Sequence, residues 1–253
     1  MCVAAVAWNA HPDWRLVAIG NRDEYHDRSA APLARWDDGS GIIAGRDLQS
    51  GGTWLGVSER GRFVLVTNRR GFGLPAPGLV SRGRLVTDLL TANGDYGDPA
   101  SARLSDFNPF SVFTASGQRL HFLANRPELM RTELLPGIYG LSNGALDEPW
   151  PKTLILKSAL LDWLGHDGGD ADAMFAALAS ETLPAAGLHP QTPSDITAEA
   201  LETAPFIRNA LYGTRCSTVI AVDASGSGVI AERRFDSGGN ETGKTTLDFH
   251  WPT

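Results

Sequence analysis

Short apolar runs separated by turn residues dominate both ends of the chain, and helical patterns lie mainly between them. Gly, Pro, Asn and Asp in the connecting segments are typical of antiparallel hairpins. The predicted strands are 2–8, 15–20, 41–45, 51–58, 61–68, 110–115, 119–125, 137–143, 214–224, 228–235 and 245–251. The predicted helices are 81–94, with Ser81 as N-cap and Gly94 beyond its end, 150–165, 171–179 and a short one at 195–203.

The order of these elements predicts the fold class. Strand pairs come first, helices follow and strands return at the end, without the regular strand–helix alternation of a doubly wound fold. Several strands are apolar on both faces, as expected when both faces of a sheet are covered. We therefore predict an α+β fold with two stacked, mainly antiparallel sheets between helix layers, in one domain that spans 1–253.

The first predicted hairpin brings the chain start to a polar segment. CVAAVAW (2–8) and RLVAIG (15–20) flank NAHPDW, whose Asn, Pro and Asp indicate a turn. If Trp8 lies opposite Leu16 or its neighbour, the numbers of facing residues add up to about 24 or 25. Cys2 then faces the second or third residue of NRDE (21–24).

The orientation of the NRDE side chains stays open. On a regular strand, Asn21 and Asp23 share one face while Arg22 and Glu24 share the other, unless a bulge re-aims one of them. Either Arg22 or Asp23 therefore meets Cys2.

Charge and hydropathy exclude some classes of function. The net charge of -7, from 22 Lys and Arg against 29 Asp and Glu, repels nucleic acid and anionic membranes. The chain lacks an apolar run of about 18 residues and a signal-peptide pattern, so we expect a cytoplasmic protein without stable membrane insertion and without a nucleic-acid partner. Two cysteines suit a reducing compartment.

Cys2 follows the initiator methionine directly. Its side chain is small, so we expect Met1 to be removed, which leaves a thiol and a free α-amine on one residue. An α-amine with a pKa of about 7.7–8.0 can take the proton of such a thiol. The competing interpretation is a small apolar residue that begins a strand, since free cysteines are commonly buried.

Two other patterns in the sequence do not predict a binding site. GGNETGKT (238–245) matches the phosphate-loop spacing, but only a short strand-like segment follows it, so a hairpin is predicted in place of nucleotide binding. The six histidines are scattered and lack metal-ligand spacing, so no resident metal is expected.

Polar residues at strand ends are further candidates. Asn68, Asn143 and Arg215 each border an apolar strand, where an oxyanion site can be built, although turn chemistry also explains the two asparagines. Arg215 and Cys216 are neighbours on one strand. If Arg215 points at the site, Cys216 points away, which argues against a Cys2–Cys216 disulfide.

Taken together, several motifs resemble the NRDE family, the Transport and Golgi organization 2 group, over nearly the whole chain. They are MC at the start, NRDE, GGTWLGV (51–57), TNRR (67–70), SRG (81–83), LSNGALDEPWPK (141–152) and YGTR-ST (212–218). The family in turn resembles cysteine N-terminal nucleophile hydrolases, such as bile salt hydrolases and penicillin V acylases. That resemblance implies a four-layer αββα fold.

The resemblance also implies roles for six residues. Cys2 would be the nucleophile, Arg22 and Asp23 would orient its thiol and amine, Asn68 and Asn143 would contact the oxyanion or substrate, and Arg215 would stabilise charge near the nucleophile. The hydrolases usually separate the Arg and the Asp by two residues, whereas here they are adjacent.

Two functions from different classes remain. The first is an amidase-like enzyme that acts on a non-peptide amide or other acyl compound without a cofactor. The alternative is a carrier that binds haem or another hydrophobic ligand in the same pocket, which the family's link to haem trafficking implies. A purely structural role is a third. Substrate and oligomeric state are not encoded in any pattern of the sequence.

Overall fold

The computed structural model of the chain describes residues 2–166, 168–182 and 204–252. The strands in this part are β1 (Val3–His11), β2 (Trp14–Tyr25), β3 (Ala30–Arg35), β4 (Ile42–Asp47), β5 (Leu55–Ser58), β6 (Arg62–Asn68), β7 (Phe110–Ser116), β8 (Arg119–Ala124), β9 (Met130–Leu134), β10 (Gly137–Leu141), β11 (Tyr212–Asp223), β12 (Ser227–Phe235) and β13 (Glu241–His250). The helices are α1 (Arg82–Thr91), α2 (Pro151–Gly165) and α3 (Asp172–Leu178), with a short 3₁₀ turn at Leu104–Asp106.

Contacts divide the chain into two compact units. The first comprises Met1–Asp27 and Pro136–Asp248, and the second comprises Arg28–Leu135 and Phe249–Thr253. Each unit is assembled from separate stretches of sequence, so neither follows from a linker or a composition shift. The single domain expected from the sequence remains a prediction.

The sheet of the first unit has the order β10-β1-β2-β11-β12-β13. Its β10, β1, β2, β11 and β12 pair antiparallel. Helices α2 and α3 pack on one face, where Val3, Val17 and Ile19 meet Leu156 and Leu160 in a buried cluster. Odd-numbered residues of β1 and β2 therefore face the helices, and even-numbered residues face the other side.

The sheet of the second unit runs β3-β4-β5-β6-β7-β8-β9, antiparallel throughout. Helix α1 covers one of its faces and buries Leu85, Val86, Leu89 and Leu90. The predicted N-cap is confirmed, because the Ser81 hydroxyl accepts a hydrogen bond from the Gly83 amide at 3.2 Å.

Most predicted elements are present, with two strands that the sequence pattern did not indicate. These are β3 and β9, which end the second sheet on either side and carry mostly exposed residues. The phosphate-loop match at 238–245 is a turn followed by the start of β13, as expected of a hairpin. The helix predicted at 195–203 lies outside the described residues.

Candidate functional site

The register of the first hairpin delivers Arg22 to Cys2. Trp8 pairs with Leu16, and the ladder continues in step to the start of β1, so that facing numbers add up to 24. One further step places Cys2 opposite Arg22, and directly facing residues share one face of a sheet. In this register Arg22 is opposite Cys2 and Asp23 follows on the alternate face of β2, but the charge of Asp23 acts on the Cys2 thiol more strongly than that of Arg22.

Asn143 flanks Cys2 on the other side. Strand β10 pairs with β1 through Ala4 and Leu141, and the same register places Asn143 opposite Cys2. The residue between, Ser142, donates a hydrogen bond from its hydroxyl to the Cys2 carbonyl oxygen at 2.9 Å. Asn143 is 1% exposed. Cys2 therefore lies in a row that runs from Asn143 through Cys2 to Arg22.

A β-bulge on β11 changes the predicted role of Arg215. Thr214 pairs with Asp23 and Cys216 pairs with Arg22, so Arg215 is the extra residue on its strand. Its Nη1 donates to the carbonyl oxygens of Tyr25 and His26, at 2.9 and 3.0 Å, just where β2 ends. Arg215 thus fixes the end of the strand that carries the NRDE segment.

The bulge also overturns the expected orientation of Cys216. A regular strand would point it away from the site, but as the partner of Arg22 it continues the row that contains Cys2. The two cysteines lie on either side of Arg22, about 10 Å apart at the strand spacing of a sheet, which exceeds the roughly 7 Å limit for a disulfide. Both are free thiols, as predicted, although for a different reason.

Burial governs the ionisation of Cys2. The residue is partly buried, and its Sγ lies 4.0 Å from the Asp23 carbonyl oxygen. Desolvation raises the thiol pKa most, and the charge of Asp23 adds to it, while the chain-terminal ammonium group lowers it and Arg22 lowers it least. A neighbouring cation alone would favour the thiolate, but burial of the Cys2 thiol outweighs it. Attack by Cys2 therefore requires a base to take the thiol proton.

Asp23 is a buried carboxyl group with one oxygen unsatisfied. Thr214 donates from Oγ1 to Asp23 Oδ1 at 2.8 Å, and Tyr212 donates from its hydroxyl to the Asp23 carbonyl oxygen at 2.8 Å. Oδ2 is buried without a hydrogen bond among the described residues. Burial raises the pKa of Asp23 to about 6, against the opposing charges of Lys152 and Arg22. Such a carboxyl changes its charge close to neutral pH.

We expect Asp23→Asn to become relatively more stable as pH rises. The pKa of Asp23 is higher folded than its unfolded value of 3.8, so between about pH 4 and 6 the folded state binds more protons, and stability falls as pH rises through that window. A shift of about two units corresponds to roughly 3 kcal/mol. Urea unfolding at about pH 4 and 7 gives the free energy of unfolding of variant and parent. From the lower to the higher pH, the difference between them should shift in favour of the variant by up to this amount. A difference in the free energy of unfolding between variant and parent that does not change with pH would contradict this prediction.

Three groups of the site were missed by the sequence reasoning. Lys152 of α2 is fully buried, and its charge acts on Asp23. Thr214 orients that carboxyl, and Glu232 of β12 is buried and hydrogen-bonds the Cys216 thiol. A lysine in the first turn of a helix normally points to solvent, so nothing in the sequence indicated its burial.

Five of the six predicted site residues belong to the first unit. Cys2, Arg22, Asp23 and Asn143 cluster in the first unit, with Arg215 at the end of β2. Asn68 ends β6 in the second unit and is exposed. No group of three His, Cys, Asp or Glu within residues 2–166, 168–182 and 204–252 is arranged to hold a metal ion. None of the described helices is long and apolar enough to cross a bilayer.

Comparison with known families and curated proteins identifies relatives along nearly the whole chain. The family model for Transport and Golgi organisation 2 matches residues 1–237. The chain is 31% identical to the Transport and Golgi organization protein 2 homolog of Bos taurus, over 92% of each chain. It is also 31% identical to the Homo sapiens homolog, again over 92% of each.

Solved structures show a likeness at the level of the fold. The C2A mutant of the conjugated bile acid hydrolase from Clostridium perfringens is 8% identical, with a TM-score of 0.53 over 98% of this chain and 92% of that one. A second variant of the same enzyme, in which an arginine is replaced by leucine, is 7% identical, also with a TM-score of 0.53. The likeness confirms the predicted fold class, α+β with two mainly antiparallel sheets.

Proposed function

We propose that this chain, which belongs to the Transport and Golgi organisation 2 family, is a hydrolase that uses Cys2 as its nucleophile on a non-peptide amide or other acyl compound. The observation that supports the proposal is the pairing of β10, β1 and β2, whose register, continued past the strand ends, brings Cys2 opposite the buried Asn143 and the buried Arg22. A nucleophile, an amide donor and a cation at one strand end are the parts that acyl transfer needs.

The raised pKa of the thiol decides how Cys2 must be activated. Because the thiol is protonated at neutral pH, its proton has to leave as the bond between Sγ and the acyl carbon forms. After removal of Met1, the α-amine of Cys2 takes that proton. It then passes it to the leaving amine or alcohol as the tetrahedral intermediate collapses to a thioester. Water attacks the thioester, giving its proton to the α-amine. The second tetrahedral intermediate collapses with release of the carboxylic acid, and the ammonium group returns the proton to the sulfur of Cys2.

Neighbouring side chains assist this catalytic cycle. The side-chain amide of Asn143 donates to the oxyanion. The buried Oδ2 of Asp23, which lacks a hydrogen bond among the described residues, accepts one from the α-ammonium group. Arg22 supplies positive charge beside Cys2, and Arg215 acts as a positioning residue through the end of β2.

The bile acid hydrolase structure supports the same assignment from outside the chain. That protein is a hydrolase of conjugated bile acids, and its C2A mutant alters a cysteine at position 2. The likeness is at the level of the fold, so it supports the position of the nucleophile and leaves the substrate of this chain undefined.

The test is acylation of the purified protein followed by mass spectrometry. Incubation with p-nitrophenyl esters of short and long acyl chains should give a protein that lacks Met1 and carries one acyl group on the Cys2 peptide, removable by hydroxylamine. A protein that retains Met1, or an adduct elsewhere, would contradict the proposal. Haem binding that shifts the Soret band and persists after Cys2 alkylation would instead support the carrier.

A further inference from the structure

The segment 60–87 has a charge unlike the rest of the chain. It contains no Asp, Glu, Lys or His, and its arginines are Arg60, Arg62, Arg69, Arg70, Arg82 and Arg84. The whole chain has a net charge of -7. Screening confines the effect of distant charges to a Debye length of about 8–10 Å, so a local basic surface can act despite the net negative charge.

Most of these arginines have structural partners near α1. Hydrogen bonds join Arg60 to the Thr91 carbonyl and Arg62 to the Leu89 carbonyl, while Arg84 pairs with Asp95. The next two, Arg69 and Arg70, begin the loop that connects β6 to α1. Arg70 is exposed and has no partner among the described residues.

This loop, residues 69–80, presents apolar side chains to solvent. Leu74 is 94% exposed, Leu79 41% and Phe72 39%. The loop is nevertheless tied down, because Asn108 accepts a hydrogen bond from the Ala76 amide at 2.7 Å and donates to the Ala76 carbonyl at 2.9 Å. Three apolar side chains exposed on one short loop are the kind of grouping that marks an interaction site.

We propose that the 69–80 loop docks on a lipid bilayer whose surface carries anionic headgroups. Phe72, Leu74 and Leu79 enter the boundary between headgroups and acyl chains, while Arg70 contacts the headgroup phosphates and carboxylates. This arrangement of apolar and basic groups is that of interfacial membrane binding, in which nothing crosses the bilayer. The proposal does not depend on the hydrolase activity of Cys2.

The isolation of Leu74 favours a bilayer over a protein partner. A preformed protein interface is a contiguous, well-packed patch, whereas a side chain that is 94% exposed has almost no neighbours to form one. Insertion into an interface needs only a protruding apolar group. The exposed Arg70, within this loop without acidic residues, supplies charge complementarity to phosphatidylserine or another anionic lipid.

Vesicle co-sedimentation of the full chain tests the proposal. We expect binding to phosphatidylcholine vesicles that contain about 30% phosphatidylserine, weaker binding to pure phosphatidylcholine, and a loss of affinity as salt is raised. Leu74→Ser should weaken binding about tenfold or more. Arg70→Gln should weaken binding to the anionic vesicles about fivefold and leave the pure phosphatidylcholine result unchanged.

Matched control variants distinguish an effect of the 69–80 loop on vesicle binding from a general effect of exposed leucines or arginines. Leu211→Ser changes another leucine, 76% exposed, and Arg119→Gln changes another exposed arginine; both should bind vesicles like the parent. Failure to bind anionic vesicles would overturn the proposal, as would an equal loss in the control variants or an Arg70→Gln variant with parental affinity. Since the assay needs no acyl substrate, its outcome is independent of the Cys2 experiment.

Discussion

Replacement of Cys2 by Ala should lower the rate of ester turnover about a thousandfold or more, without lowering the melting temperature. Removal of a nucleophile takes away the covalent step itself, and losses of this size or larger follow in enzymes that use one. Cys2 precedes the first residue of β1 and is only partly buried, so the smaller side chain leaves the sheet intact. Steady-state hydrolysis of p-nitrophenyl esters, with thermal unfolding on the same samples, checks both parts.

The chain carries its own control for this experiment. Cys216→Ala removes the other thiol, which burial holds at a pKa well above its ordinary value and which lies beyond Arg22 in the same row. It should retain ester turnover. Equal loss in both variants, or full activity in Cys2→Ala, would remove Cys2 from the role of nucleophile.

The fold was predictable where local patterns are strong. Apolar runs around turn residues gave the hairpins, and Ser81 marked the start of α1, because capping and alternation act within a few residues. Strands β3 and β9 were not predictable, because each ends the second sheet and carries mostly exposed residues. Their place depends on a partner strand that supplies hydrogen bonds whatever the side chains are.

The site was predictable as far as register determines it. Pairing Trp8 with Leu16 is enough to bring Arg22 to Cys2, since every later pair on the ladder follows from the first. The bulge at Arg215 could not be predicted, because a single extra residue leaves no composition signal. The direction of the Cys2 pKa shift could not be predicted either. This shift depends on how far the surrounding structure excludes water from the thiol. A cationic residue identified in the sequence does not reveal the extent of that burial.

The same limit applies to Asn21, the first residue of NRDE. Alternation placed it on the face opposite Arg22, but its partners come from distant parts of the chain. Its Nδ2 donates to the Leu178 carbonyl at 2.8 Å and to the Pro205 carbonyl at 2.9 Å, and its Oδ1 accepts from the Ser217 hydroxyl at 2.6 Å. Asn21 therefore ties β2 to the end of α3 and to β11, and its role is structural.

Asn21→Ala should be the most destabilising of these changes. The side chain is 3% exposed, and its loss leaves the Leu178 and Pro205 carbonyls and the Ser217 hydroxyl buried without that partner. Each such group costs about 1–3 kcal/mol, so the free energy of unfolding should fall by about 3–5 kcal/mol, and the melting temperature by about 10 °C. Asn93→Ala, which shortens an exposed asparagine, should change neither. Calorimetry of the two variants measures these melting temperatures. If Asn21→Ala kept the parental melting temperature but lost ester turnover, Asn21 would have a catalytic role and not a structural one.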